Sequence, residues 1–158
     1  MEKAACRPLE AGLAERASRV TPETQFRLRL AEGFLTEARQ DFLSQRWRSC
    51  VDNSQLAVEN AAKAALALLG PVGRTHNPAL PLRQALENKL FPPSASQLVA
   101  QLAECAELLG PDFHVQSDYG DEIAWRTPWE LFDESDARKA LSLAEDAAKV
   151  LQQISQEI

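Results

Sequence analysis

The chain has 158 residues, about the length of one ordinary domain, and its 45% hydrophobic content is enough to build a core without metals or disulfides. A net charge of −6 argues against broad attraction to nucleic acid phosphate, and the dominance of alanine, leucine, glutamate, glutamine and arginine over β-branched and aromatic residues argues against sheet. Three cysteines, Cys6, Cys50 and Cys105, odd in number and far apart, fit neither a disulfide framework nor a paired-cysteine zinc site, so they read as reduced and structural.

Residues 1–20 are polar and interrupted by Pro8 and Gly12, which leaves room for a short peripheral helix over Leu9 to Ser18. Residues 21–158 read as a single helical domain. Thr21-Pro22-Glu23 is a helix start, with a capping hydroxyl, a proline suited to the first turn and an acid at the positive end of the dipole. That helix is predicted to run to about Gln45. Its core stripe is Leu28, Ala31, Leu35, Ala38 and Phe42, widened by Phe26, Leu30 and Phe34. Gly33 inside it is expected at a close helix crossing. Arg27, Arg29, Arg39, Arg46 and Arg48 form a basic stretch that reads as a solvated face or a local RNA-facing patch.

A second helix is expected from Trp47 to Leu69, stopped by Gly70-Pro71 and antiparallel to the first across a short connection. One side carries Val51, Val58, Ala62, Ala65, Leu66 and Leu69. On the other, Arg48, Asp52, Gln55, Glu59 and Lys63 follow one another by three or four residues, a polar stripe that is either solvated or the wall of a ligand site. Asn77-Pro78 starts a shorter helix through Leu82, Leu86 and Leu90. Ser94 or Ser96 caps the next one, whose stripe is Leu98, Leu102, Cys105 and Leu109. Residues 110–132 read as a long irregular segment in which Tyr119, Trp125 and Trp129 either plug one end of the bundle or form a binding edge. A last helix starts near Asp133 or Ser135 and closes the bundle. The expectation is an all-α, up-and-down antiparallel bundle of four to five core helices plus the short N-terminal one.

No apolar run reaches the roughly 18 residues of a membrane span and the N-terminus has no hydrophobic signal core, so a cytoplasmic protein without a membrane partner is expected. Phosphate-loop, His-Glu-x-x-His and paired-cysteine patterns are missing, so no cofactor and no metal are assigned.

The segments Phe34-Leu35-Thr36-Glu37-Ala38-Arg39-Gln40-Asp41-Phe42, then Gln55 to Leu66 with its Gln, Glu-Lys and Ala-Leu spacing, then Thr75-His76-Asn77 with Leu80 and Leu82, resemble the HEPN-domain family in order and spacing. Ser117 to Asp121 and Pro128 to Asp136 resemble the Arg-Tyr-Pro-Asp segment and closing helix of that family more loosely, and the likeness spans roughly residues 24 to 156. Asp118 stands where the family often has arginine, and Gly120 where it has proline. Ribonuclease members carry an arginine followed within about two helical turns by a histidine. Neither His76 nor His114 has an arginine at such a spacing upstream, since Arg74 is only two residues before His76, too near for that pattern.

The resemblance implies a binding module for a nucleotide-type ligand or a protein partner. It also implies a homodimer, a small nucleotidyltransferase as partner in a toxin–antitoxin-like pair, and a nucleotide or RNA as ligand. An RNase toxin with a degenerate or displaced active site is the first alternative, and a purely protein–protein interaction bundle the second. The ligand-binding candidates are Arg48, Gln55, Glu59, Lys63, Arg74, His76 and Tyr119. Of these, Lys63, Arg74 and His76, with the first amides of the following helix, form a candidate phosphate cradle. Trp125 and Trp129 are the partner-contact candidates.

Overall fold

The structure, a computed structural model, describes residues 20–158, so the proposed helix over Leu9 to Ser18 and Cys6 lie outside the described residues. Thr21 accepts the Thr24 N–H with its hydroxyl and Pro22 occupies the first turn of α1, Pro22–Leu43. The helix ends in a Schellman motif. The Arg46 N–H donates to the Asp41 carbonyl and the Gln45 N–H to that of Phe42, with Gln45 in the left-handed region at φ 57°. This three-residue reversal lays α2, Trp47–Ala67, antiparallel against α1.

The remaining helices wrap α2. They are α3, Ala79–Glu87; a 3-10 turn, Pro93–Ala95, leading into α4, Ser96–Leu108; α5, Pro111–Tyr119; the single turn α6, Pro128–Leu131; and α7, Glu134–Glu157. Helix α7 packs on α2, α4 and α1, and α5 lies across the first half of α2. Small residues at Ala57, Ala61, Ala64, Ala65, Ala140, Ala144 and Ala147 are buried in the core and permit close approach of these helices. Asp133 and Asp136 cap α7 reciprocally, each side chain accepting the other's backbone N–H. The described residues contain no strand beyond one isolated bridge, and the all-α bundle expected from the sequence is what the chain forms.

Several expectations change. Residues 110–132 are not one irregular segment, because Gly110-Pro111 ends α4 and at once supplies the extended N-cap and first helical residue of α5. The aromatic plug is overturned as well. Tyr119, Trp125 and Trp129 are exposed, and that end of the core is filled by Leu109, Phe113 and Phe132 instead. A Cβ at Gly33 meets nothing within 4 Å, so no helix among the described residues crosses there, and Phe26 is exposed rather than in the stripe. Neither Ser94 nor Ser96 caps α4. Cys50 and Cys105 are free and buried, and burial pushes both thiols up to about 11. No helix of the described residues is long and apolar enough to cross a membrane.

Candidate functional site

The polar stripe of α2 is not a solvated face. Because α1, α5 and α7 close around this helix, Gln55, Glu59 and Lys63 lie inside the protein, with Glu59 6% and Lys63 7% exposed. The Lys63 ammonium donates to Glu59 Oε1 at 2.6 Å, and the Gln55 amide donates to Glu59 Oε2 at 3.3 Å. Two charges withdrawn from water cost several kcal/mol each unless paired, so this pair is a poor way to gain stability alone. Gln55 Oε1 is buried with no hydrogen-bond partner, an acceptor left open beside the pair.

The 70–76 loop brings His76 to the surface end of this pair. Its Nδ1 is 3.5 Å from Glu59 Oε1 while the ring is 85% exposed, so the imidazole sits at the mouth of the buried pair. The Val72 N–H donates to Glu23 of α1 and the Asn77 N–H to the Thr75 hydroxyl, which fix the loop on either side. Four of the predicted residues, Gln55, Glu59, Lys63 and His76, therefore meet.

The other candidates do not join them. Arg48 lies fifteen residues before Lys63, roughly 22 Å along the helix axis. There its guanidinium donates to the Ser117 carbonyl at 2.6 Å and to Asp118 at 3.3 Å, and stands 5.8 Å over the Trp129 ring. It straps α5 and α6 to α2. Tyr119 projects into solvent nearby. Arg74 lines a recess of about 510 Å³ between the end of α2, the loop and α3. The phosphate cradle is corrected accordingly, since Lys63 is committed to Glu59, whose carboxylate also faces His76, and Pro78 and Pro81 supply no N–H at the start of α3. The basic stretch is offset in the same way, with Arg39 on Glu145, Arg46 on Asp41 and Arg48 on Asp118.

Sequence reasoning gave His114 no partner. Helix α5 holds its Nδ1 2.6 Å from Asp52 Oδ1, and its Nε2 is 3.7 Å from Asp118 Oδ2. The hydrogen bond to Asp52 raises the imidazole above its ordinary 6.5, against a smaller opposing effect of burial, with further help from the charges of Asp52, Asp118 and Glu59. Asp52 was visible on the stripe, but nothing local signals a partner 62 residues away. The seam of α2 thus carries two imidazoles, one over Asp52 and one over Glu59. These carboxylates are seven residues, or about 10.5 Å, apart along the axis. Such a seam presents hydrogen-bond donors and acceptors side by side, with two imidazoles among them.

The family model of the HEPN domain matches residues 24–154. The crystal structure of TT1696 from Thermus thermophilus is similar, with a TM-score of 0.64 and 17% identity over 85% of this chain and 99% of that chain, a likeness of fold. A search of curated proteins gives no match. Since the family model covers most of the sequence, including the polar stripe of α2, the 70–76 loop and α5, the chain belongs to the HEPN-domain family.

Proposed function

We propose that this HEPN module binds a nucleotide-type ligand, a nucleotide or a short RNA, along the seam from Asp52 to His76. The observation that carries this reading is the buried Glu59–Lys63 pair, which opens to the surface at His76 and leaves Gln55 Oε1 without a donor. A ligand with both donors and acceptors satisfies that set, whereas a bare phosphate meets carboxylates at Asp52 and Glu59. In the same reading the chain pairs with itself and serves, in a toxin–antitoxin-like setting, a small nucleotidyltransferase. Calorimetric titration with AMP, ATP and a short single-stranded RNA tests it. Micromolar to millimolar binding, weakened about tenfold or more by His76→Ala, is expected. Absence of heat at high protein concentration contradicts it.

RNA cleavage from a displaced site is the second reading, and the His114–Asp52 pair favours it. An imidazole oriented through Nδ1 by a carboxylate keeps Nε2 for proton transfer, and its raised affinity for the proton suits the acid step near neutrality. Expression alone then slows growth, and His114→Ala abolishes both cleavage and growth arrest. Intact RNA after long incubation with pure protein rules this reading out and leaves binding.

A further inference from the structure

We infer that a second copy of this chain docks its 121–126 hairpin into the recess beside the 70–76 loop of the first, forming a closed two-fold pair. The inference rests on the self-association proposed above and names its surfaces.

The hairpin is built to hold apolar side chains in water. Asp121 and Arg126 exchange both backbone hydrogen bonds, and Asp121 Oδ1 accepts the N–H groups of Ile123 and Ala124. At its base Gly120 has φ 74° and ψ −156°, and a Cβ there would collide with the Arg126 carbonyl oxygen and Pro128. Thr127 and Glu130 cap the following turn reciprocally. With the backbone fixed in this way, Ile123 is 95% and Trp125 87% exposed. Trp125 is itself in the left-handed region at φ 56°, a conformation that a bulky residue adopts at some cost. Rigid, exposed aromatic and aliphatic residues of this kind anchor interfaces.

The sign of the surrounding charge selects the occupant. Residues 111–136 contain eight carboxylates, Asp112, Asp118, Asp121, Glu122, Glu130, Asp133, Glu134 and Asp136, against one cation, Arg126. An acidic, aromatic knob repels nucleic acid and anionic membrane and fits a basic apolar recess.

The chain carries such a recess. The cavity of about 510 Å³ is lined by Leu66, Leu69, Val72, Arg74 and Leu90 among others, and no carboxylate lines it. Of the lining leucines, Leu69 and Leu90 are exposed, and the exposed Lys89 stands between the lining residues Asn88 and Leu90. Knob and recess lie towards opposite ends of α2. Arg48, beside Trp129, is eighteen residues from Leu66, about 27 Å along the axis. One chain cannot satisfy its own recess. Two chains related by a two-fold axis, with their α2 helices antiparallel, make the contact twice and close, whereas a single head-to-tail contact would extend into a filament. In the closed pair the knob of the partner subunit covers the recess next to His76, so each copy completes the wall of the other's seam.

The test is sedimentation equilibrium of the full chain at up to about 100 µM, where a micromolar interface is populated. The variants are a hairpin pair, Ile123→Ser with Trp125→Asn, and a recess pair, Arg74→Glu with Leu90→Asp. All four positions are exposed, so melting temperatures taken at protein concentrations well below the dimer dissociation constant should match wild type, and asparagine tolerates the left-handed backbone at position 125. We expect wild type at twice the 17.5 kDa chain mass, and each variant pair to raise the dimer dissociation constant by about thirtyfold or more, as loss of an interface anchor does. A dimer whose dissociation constant is unchanged in either variant pair overturns this interface and leaves self-association standing. A wild-type monomer across the whole range overturns both.

Discussion

At the scale of single residues, charges placed inside the bundle set stability and, in the proposed function, binding. Lys63 and Glu59 share one short ion pair with little access to water. Lys63→Met leaves a buried carboxylate unpaired, and urea unfolding should show a loss of about 3 kcal/mol or more. Replacing both residues, Glu59→Leu with Lys63→Met, should return stability to within about 1 kcal/mol of wild type while ligand binding stays lost. A double variant that still binds would remove the pair from the site. His114 supplies a pH dependence with a definite sign. Because folding raises its affinity for the proton, its contribution is fully present below the ordinary value of 6.5 and disappears as pH rises through the higher folded value. The melting-temperature gap between wild type and His114→Ala should therefore be larger at pH 6 than at pH 9, and a gap that widens with pH would refute the assignment. The spacing of Gln55, Glu59 and Lys63 on one helix line was legible in the sequence. Their burial was not, because it depends on which helices close over that line, and a pairing such as Asp52 with His114 exists only after α5 docks.

At the scale of elements, caps and turns explain what could be read and what could not. Starts marked by side-chain chemistry, Thr21-Pro22 and Asp133, were legible because the capping oxygen and first-turn proline are local. The ends of α1 and α3 were harder, since Gln45 and Lys89 occupy the left-handed C′ position where glycine is the usual signal. Helix α5 was missed for another reason. It is short, its apolar residues form no stripe, and Pro111 reads as a stop although it is the first residue of the next helix. Gly33 shows the opposite error, a glycine given a packing role that open space around it does not support. Gly33→Ala should accordingly stabilise the protein by about 0.5–1 kcal/mol in denaturant unfolding. Destabilisation would mean that something outside the described residues occupies that face.

At the scale of the whole molecule, α2 acts as an axle. Its apolar sides hold α1, α4 and α7, and its polar seam carries Asp52, Gln55, Glu59 and Lys63 beneath the two histidines. The two ends differ in charge and shape, with an acidic hairpin near Arg48 and a basic recess near Leu66, and the proposed pair uses both. The chain's departures at Asp118 and Gly120 acquire physical content here, because Asp118 ties Arg48 and faces His114 while Gly120 permits the tight hairpin base. The central claim is that the seam of α2 is the ligand site. Amide chemical-shift mapping during titration with AMP or a short single-stranded RNA tests it most directly. Saturable shifts centred on Asp52 to Lys63, the 70–76 loop and the turn of α5 around His114 are predicted, together with their loss in His76→Ala. Shifts confined to other surfaces, or none at millimolar ligand, would contradict it.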